Sequence, residues 1–505
     1  MAKDPQKLRA CVHKPRVFIV SDISNEPDDA ESLVRYLLYS NEFDTRGLVA
    51  CTSTWMKRVV HPEDMEKIVR GYSQVVQNLN AHVHPSNQYS PGEYFMKMIC
   101  TGPALYGKEA LEPGVPLSDG AKMLIDRLDE SDEPLWVLCW GGTNVLAQAL
   151  QYVQRERSVA EGASLRSKIR VYAISDQDDT GLWIRLTFPD VLYINSVHGW
   201  NQYGLAAWTG ISGEKYYGFD QGGPDDTKIS KAWIKKHIQI GPLGSTYPDY
   251  MFIPEGDTPT FLYLIQNGLG SPEHPEWGSW GGRYLRTDLG KAGKHYSDTV
   301  DRVVGKDGKT HISNQATIWR WRNAYQNDFA ARMQWTLNKD ITTANHAPVA
   351  VVNESTPGPE PLMFEAEANT EITLDGSGSY DPDGNKLEFS WFQYKEVTAT
   401  QWSVNMEVAS VEFEDLDASK PGRRVKVRLP PPEKCCVDMF TGQAKEKGHI
   451  FHLVLQVTNN GSPSMTTYKR VVVQITNPGL RGGRGKEVTS IAEVPGFDEL
   501  SLGKL

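Results

Sequence analysis

VFIVSDISNEPDDAESLVRYLLYS, from Val17 to Ser40, runs an apolar strand straight into a loop holding Asp22, Glu26, Asp28, Asp29 and Glu31. Val17 to Val20 reads as a buried strand. AESLVRYLLYS then places Leu33, Val34, Leu37 and Leu38 on one helical face. Pro27 suits the first turn of that helix, where Asp28 and Asp29 are favoured by free N–H groups and the helix dipole. One reading is therefore an acidic helix start. It leaves Asp22 unexplained, since that residue ends a buried strand and points at the same place. The other reading is an oxygen-rich, negatively charged pocket of the kind Ca²⁺ or Mg²⁺ requires.

The strand–loop–helix pattern continues. RVFIV (Arg16–Val20), GLVAC (Gly47–Cys51), LWVLC (Leu135–Cys139) and RVYAI (Arg170–Ile174) are compact β-like runs. Between them lie helical stretches such as EKIVRGYSQVVQNL, with Ile68, Val69, Tyr72, Val75, Val76 and Leu79 aligned. This predicts an α/β fold, a mainly parallel sheet with helices on both faces, whose ligand sits beyond the carboxyl ends of the strands. The acidic loop occupies such an end.

After the Trp-rich helical stretch Thr317–Trp335 and a Pro-rich connection, alternating runs take over: KLEFSWFQY (Lys386–Tyr394), HLVLQV and KRVVVQI, separated by DPDGN (Asp381–Asn385) and NNGSPS. They predict an all-β, immunoglobulin-like sandwich. The expected organisation is an α/β catalytic domain over 1–344, a β-sandwich over 345–478 and a loose tail over 479–505.

With 505 residues, 39% apolar and 23% charged, the composition is that of a globular protein of two domains. A net charge of −10 without a basic face argues against a nucleic-acid polymer, the one basic cluster being RGGRGK (Arg481–Lys486). No apolar run is long enough for a membrane span. Six cysteines, four far apart and Cys435 and Cys436 adjacent, make no disulfide framework. The N-terminus shows no apolar signal region, so the expectation is cytoplasmic unless a leader was removed.

SDISNEPDDAESL resembles the signature of nucleoside hydrolases, whose longer variant reads roughly D-T-D-I-G-x-D-x-D-D-A-x-A-L. Asp22, Asp28, Asp29 and Ala30 match; Val20 stands against its first Asp, Ser24 against its Gly and Glu26 against an Asp. LWVLCWGGTNVLAQAL resembles the family's strand–G-x-x-T-N–helix element. IPEGDTPTFLYLI resembles its later His-Asp segment, with Gly256 where His often stands. Over about residues 15–475, SDQDDTGLWIRLTFPD, INSVHGW, GPLGSTYP and EGDTPTFLYLIQNGLGSPEHPEWGSWGGRY are similar to one subgroup. Its members join a nucleoside-hydrolase-like domain to an immunoglobulin-like domain and are often labelled cellulose-binding proteins.

That resemblance implies a calcium site made by Asp22, Asp29, the Thr143 carbonyl and Asp257, with Asp22 doubling as general base. It implies cleavage of an N- or O-glycosidic bond of a furanosyl or related sugar by metal-activated water, and Asp28 and Glu26 as sugar contacts. Asp176, Asp178, Asp179, Trp183 and Arg185 are expected to form a substrate wall, since carboxylates pair with sugar hydroxyls and Trp stacks on sugar faces; a capped helix start with a salt bridge explains them equally. Asn195, His198 and Trp200 are further candidates, and Trp277 with Trp280 suggests an exposed aromatic rim. The rival reading is a non-catalytic binder of cellulose-type polysaccharide on a hydrolase-like fold. The expected partner in either case is a carbohydrate or glycoside, with a homo-oligomer left open.

Overall fold

The computed structural model describes residues 4–11, 13–198, 200–213, 223–287, 293–398, 408–438 and 442–480. The cluster Arg481–Lys486 and the tail beyond 480 lie outside these. Two compact units emerge. The first comprises residues up to 347 without 267–269, together with 460–465; the second comprises 267–269, 348–459 and 466 onward.

The first unit is built on an eight-stranded sheet. In chain order its strands are β1 (Arg16–Ser21), β2 (Asp44–Ala50), β3 (Ile99–Thr101), β4 (Leu135–Cys139), β5 (Ile169–Ser175), β6 (Leu192–Ser196), β7 (Tyr284–Arg286) and β8 (His295–Asp298). Their spatial order is β3-β2-β1-β4-β5-β6-β8-β7, all parallel except β7 against β8. β1 lies between β2 and β4, with Val20 opposite both Val49 and Cys139. Here the winding reverses, and in such sheets the crevice outside the carboxyl ends at the reversal is where ligands bind. Asp22 follows β1 and Gly141–Thr143 follows β4, so both segments face this crevice.

The alternation of β1 explains the burial. Phe18 and Val20 join one core with Val137, Cys139, Val171 and Ala173, against Leu124, Leu128, Leu146 and Leu150 of the covering helices. Helix α1 (Pro27–Tyr39) covers the other face, where Tyr36 meets Phe43 and Phe261 at 5.5 Å. The predicted stripe Leu33, Val34, Leu37, Leu38 is buried, and so are Glu31, Arg35 and Tyr36. A helix buried this far round must satisfy its charges internally. Arg35 does so by donating to Glu255 (2.7 Å), the Tyr325 carbonyl (2.7 Å) and Gln326 (2.9 Å).

The segment Pro275–Trp280 corrects one expectation. Trp277 is 9% and Trp280 1% exposed, so neither forms an open rim. The glycines there serve close packing: a Cβ on Gly281 would stand 2.1 Å from the Pro259 carbonyl and 2.3 Å from the Tyr263 nitrogen. Beyond the sheet, β9 (Asp301–Val304) and β10 (Thr310–Ser313) form an antiparallel hairpin.

The second unit holds two sheets. β11 (Leu362–Glu367), β13 (Leu387–Gln393), β16 (Lys447–Asn459) and β17 (Thr466–Thr476) pair in the order β11-β17-β16-β13. β12 (Glu371–Asp375), β14 (Phe413–Asp415) and β15 (Arg424–Arg428) make the other, in the order β12-β15-β14. Inward residues of both, among them Leu374, Val425, Val427, Leu453, Leu455, Val471 and Val473, share one core, as in a sandwich. Among the described residues no helix is long and apolar enough to cross a membrane.

Candidate metal and sugar site

Asp22 is carried out of β1 into the crevice and is 2% exposed. The chain then turns through Ser24 at φ +82°, a left-handed conformation that glycine adopts freely and serine only at a cost of about 1–2 kcal/mol. This gives a physical meaning to the glycine of the resembled signature. Pro27 starts α1, so Asp28 and Asp29 fall in its first turn, while Glu26 at the cap makes no capping bond. From far along the chain, Glu255 takes φ +54° and delivers Gly256 and Asp257 to the same place. Both loops that build the site thus contain a non-glycine residue in the left-handed region, a kind of strain that concentrates at binding sites.

Carboxylate oxygens of Asp28, Asp29 and Asp257 lie within 4.8 Å of one another. Asp29 accepts from the Ser21 hydroxyl. Both oxygens of Asp257, and Oδ2 of Asp22, are buried without a hydrogen-bond partner. Gly256 is part of the cradle: a Cβ there would meet Asp28 Oδ2 at 2.6 Å. Gly141 plays the same part for Asp22, whose Oδ1 lies 2.8 Å from where a Cβ would stand.

Burial pushes the Asp22 carboxyl up to about 6, tempered by a hydrogen bond with Ser53. Burial, then the Glu26 and Asp22 charges, push Asp28 up to about 7. Asp29 and Asp257 are held well above the ordinary range by burial and by the other members of the cluster. Without a counter-ion the site therefore retains protons well above pH 4. The contribution of Asp22 and Asp28 to stability is fully present below the unfolded pKa near 3.8 and is lost as pH rises through about 6 to 7. A divalent cation requires the deprotonated carboxylates, so its binding is expected to release more protons at pH 6 than at pH 8. Titration calorimetry in buffers of different ionisation enthalpy reads that number, and a proton count independent of pH would contradict the coupling.

The remaining candidates separate. Asp28 joins the carboxylate group and is not simply a flanking contact. Thr143 caps the helix Asn144–Glu156: its carbonyl accepts from the Ala147 amide at 2.9 Å, and its hydroxyl bonds Thr180 at 2.8 Å. Asp178 is buried and committed to the amides of Asn144 (3.1 Å) and Thr180 (2.8 Å). Asp179 accepts from the Lys108 amide at 2.8 Å. Asp176 and Arg185 form a two-pronged ion pair at 2.7 and 2.6 Å, and Trp183 packs edge-on against Phe188 at the border of the core. Asp176, Asp178 and Asp179 thus all hold hydrogen-bond partners within the chain, and the salt bridge of the alternative reading is present between Asp176 and Arg185. Asn195 is 1% exposed with both amide atoms unpaired. His198 meets Asp298 and Asn314 at 3.4 Å each, and burial lowers its pKa.

The residues missed by sequence reasoning lie in the 3-10 turns after β6. Tyr203 and Trp208, 8% and 6% exposed, pack edge to face there, the Tyr203 phenol beside Ser175 and the Trp208 ring edge beside Gly256. Neither has a periodic pattern around it that would have marked it.

The family model described as "Cellulose-binding Sde182, nucleoside hydrolase-like domain" matches residues 16–284, and that described as "Cellulose-binding protein Sde0182, C-terminal domain" matches residues 371–475. A solved nucleoside hydrolase-related hypothetical protein from Saccharophagus degradans, described as associated with carbohydrate metabolism, is 30% identical. The match covers 92% of this chain and 100% of that one, with a TM-score of 0.72. An inosine-uridine preferring nucleoside hydrolase from Bacillus anthracis aligns at 14% identity over 64% of this chain and all of its own, with a TM-score of 0.31. Among curated proteins none matches.

Proposed function

The chain belongs to the Sde182 family of nucleoside hydrolase-like proteins, and from that premise we propose that its first unit is a calcium-dependent glycoside hydrolase acting on an N- or O-glycosidic bond of a furanosyl or related sugar. The observation that carries the reading is the convergence of Asp28 and Asp29 with Asp257 on one buried point, beside unpartnered oxygens of Asp257 and Asp22.

The donor set fits a hard cation. All the ligating atoms are carboxylate oxygens, with no His or Cys among them, which suits Ca²⁺ or Mg²⁺ rather than zinc. Asp28, Asp29 and Asp257 would hold the ion, with Asp22 beside them; Thr143 could add only the free side of a carbonyl already used by its helix. When bound, the ion supplies Lewis-acid polarisation of water and a grip on sugar hydroxyls. Asp22 accepts the proton of the attacking water at Oδ2, the oxygen that no protein donor occupies. Glu26, half-buried at the start of α1, is placed to accept from a sugar hydroxyl. Asp22, Asp29 and Asp257 are buried, which strengthens each electrostatic contact they make.

A second reading, a cellulose-type polysaccharide binder without turnover, is favoured by the family's description and by Gly256, which puts no titratable side chain beside Asp257. The test is hydrolysis across nitrophenyl furanosides, pyranosides and nucleosides with calcium present. Turnover of any member that ceases in chelator supports the hydrolase; sugar binding without turnover across the panel supports the binder.

A further inference from the structure

Glu31, Ser32 and Arg35 of α1 take no part in the reaction outlined above, yet all three are fully buried. Residues three and four apart share a helix face, so these three continue the face that carries Asp28. Each of them holds the loop that delivers Asp257. The Glu255 amide donates to Glu31 Oε2 at 2.9 Å, and the Tyr247 hydroxyl lies 3.4 Å from the same oxygen. The Thr258 hydroxyl donates to Ser32 Oγ at 3.1 Å. Arg35 Nη1 donates to Glu255 Oε2 at 2.7 Å. The Tyr325 carbonyl and the Gln326 side chain, both on the helix Arg322–Trp335, fix that guanidinium from a third element.

This clasp accounts for the backbone of the loop. Glu255 sits at φ +54°, a conformation that a non-glycine residue keeps only where its surroundings over-determine it. Its amide and its carboxylate are both tied to α1, and Gly256 and Asp257 follow directly. The separation of Asp257 from Asp28 and Asp29 is thus set by α1 and its bonds to the loop. The oxygens gathered within 4.8 Å are those of Asp28, Asp29 and Asp257, and both oxygens of Asp257 are buried and unpartnered, so the group faces a ligand. Calcium takes oxygens at about 2.3–2.6 Å in adaptable shells, whereas magnesium demands about 2.0–2.1 Å and near-ideal octahedral geometry. A loop free to close adapts to either ion, and a loop held at a fixed distance penalises the smaller one. We propose that Glu31 and Ser32, beside the Arg35–Glu255 ion pair, are positioning residues that clasp the 255–258 loop to α1 and make the site select calcium over magnesium. The inference rests on the reading of Asp28, Asp29 and Asp257 as an ion site.

The experiment titrates the full chain, stripped of ions with chelator and dialysed, with calcium and separately with magnesium in a calorimeter. The wild-type chain is expected to bind calcium the more tightly. Glu31→Ala removes the acceptor of the Glu255 amide and is expected to weaken calcium roughly 10- to 100-fold, as loss of a group that orients a metal ligand does. Magnesium should weaken less, so that the ratio of the two affinities falls by about 3-fold or more. Glu31→Gln keeps an acceptor and should restore calcium affinity to within about 3-fold of wild type. Arg35 is left in place, since its removal would strand the Glu255 charge. Ser32→Ala combined with Thr258→Val cuts the other link without touching a charge and is expected to lower calcium affinity about 3- to 10-fold, the range of one neutral hydrogen bond. A cooperative melt in chelator shows which variants fold, and the hydroxyl pair decides if Glu31→Ala does not. Calcium affinity unchanged in the folded variants overturns the proposal, as does a loss that leaves the calcium-to-magnesium ratio untouched. Glu31→Gln falling as far as Glu31→Ala also overturns it, by making charge rather than position the cause. In each of these cases the ion site itself stands. A wild-type chain that binds neither ion brings down the proposal together with the metal reading.

Discussion

Asp257→Asn is expected to abolish the rise in melting temperature that calcium gives the wild-type chain. The wild-type rise follows from linkage: an ion at 100 times its dissociation constant stabilises the native state by about 2.7 kcal/mol. For a unit of this size that amounts to a shift on the order of 5 °C. Asp257 is the informative position because both its oxygens are buried and unpartnered and because it comes from a different part of the chain than Asp28 and Asp29. Asparagine is nearly isosteric, but it leaves one neutral oxygen where two charged ones stood. In chelator the variant should melt at or above the wild-type temperature, because asparagine cannot take up the charge that burial, Asp29, Asp28 and Asp22 all disfavour at Asp257. Scanning calorimetry with calcium and with chelator gives all four values. A full calcium shift in Asp257→Asn places the ion elsewhere. The DPDG turn of the second unit is a poor alternative, since Asp381 is committed to the amides of Asp383 and Asn385 (2.9 Å each) and to the Asn459 side chain (2.8 Å).

The parts of this site that were legible in the sequence are those whose position follows from local periodicity. The switch from a strand to a helical repeat around Asp22 and Asp29 fixes where those carboxylates emerge, and the parallel sheet fixes which end of it they occupy. Asp257 was reached through resemblance, because nothing local to IPEGDTPTFLYLI says that it returns to β1. Asp176, Asp178 and Asp179 show the opposite case. As residue types they suit sugar hydroxyls, yet Arg185, the Asn144 and Thr180 amides and the Lys108 amide claim them first. Composition cannot reveal a partner that comes from another loop. The glycines around Trp280 were misread for the same reason: they signal close backbone approach at Gly281 rather than an open surface. Tyr203 and Trp208 lie in 3-10 turns with no hydrophobic repeat, so their burial follows from tertiary packing alone.

Asp22→Asn carries the second large effect. The variant should fold, retain most of the calcium-dependent stabilisation through Asp28, Asp29 and Asp257, and lose turnover by about 10²- to 10⁴-fold, the usual contribution of a general base. The separation of the two readouts is the point of the argument. Asp22 Oδ2 has no protein partner, so an amide there disturbs no internal hydrogen bond on that side. What the substitution removes is the ability to take a proton. The wild-type rate should therefore fall on the acid side at or below about pH 6, where burial places the Asp22 carboxyl before any cation lowers it. The same acid limb should be missing from whatever residual rate Asp22→Asn retains. A variant that keeps full turnover with its calcium shift intact would remove Asp22 from the chemistry and leave it only as a lining charge. A variant that loses the calcium shift as well would make it a ligand first, and the base would then have to be sought elsewhere in the cluster, with half-buried Glu26 the next carboxylate in reach of the cavity.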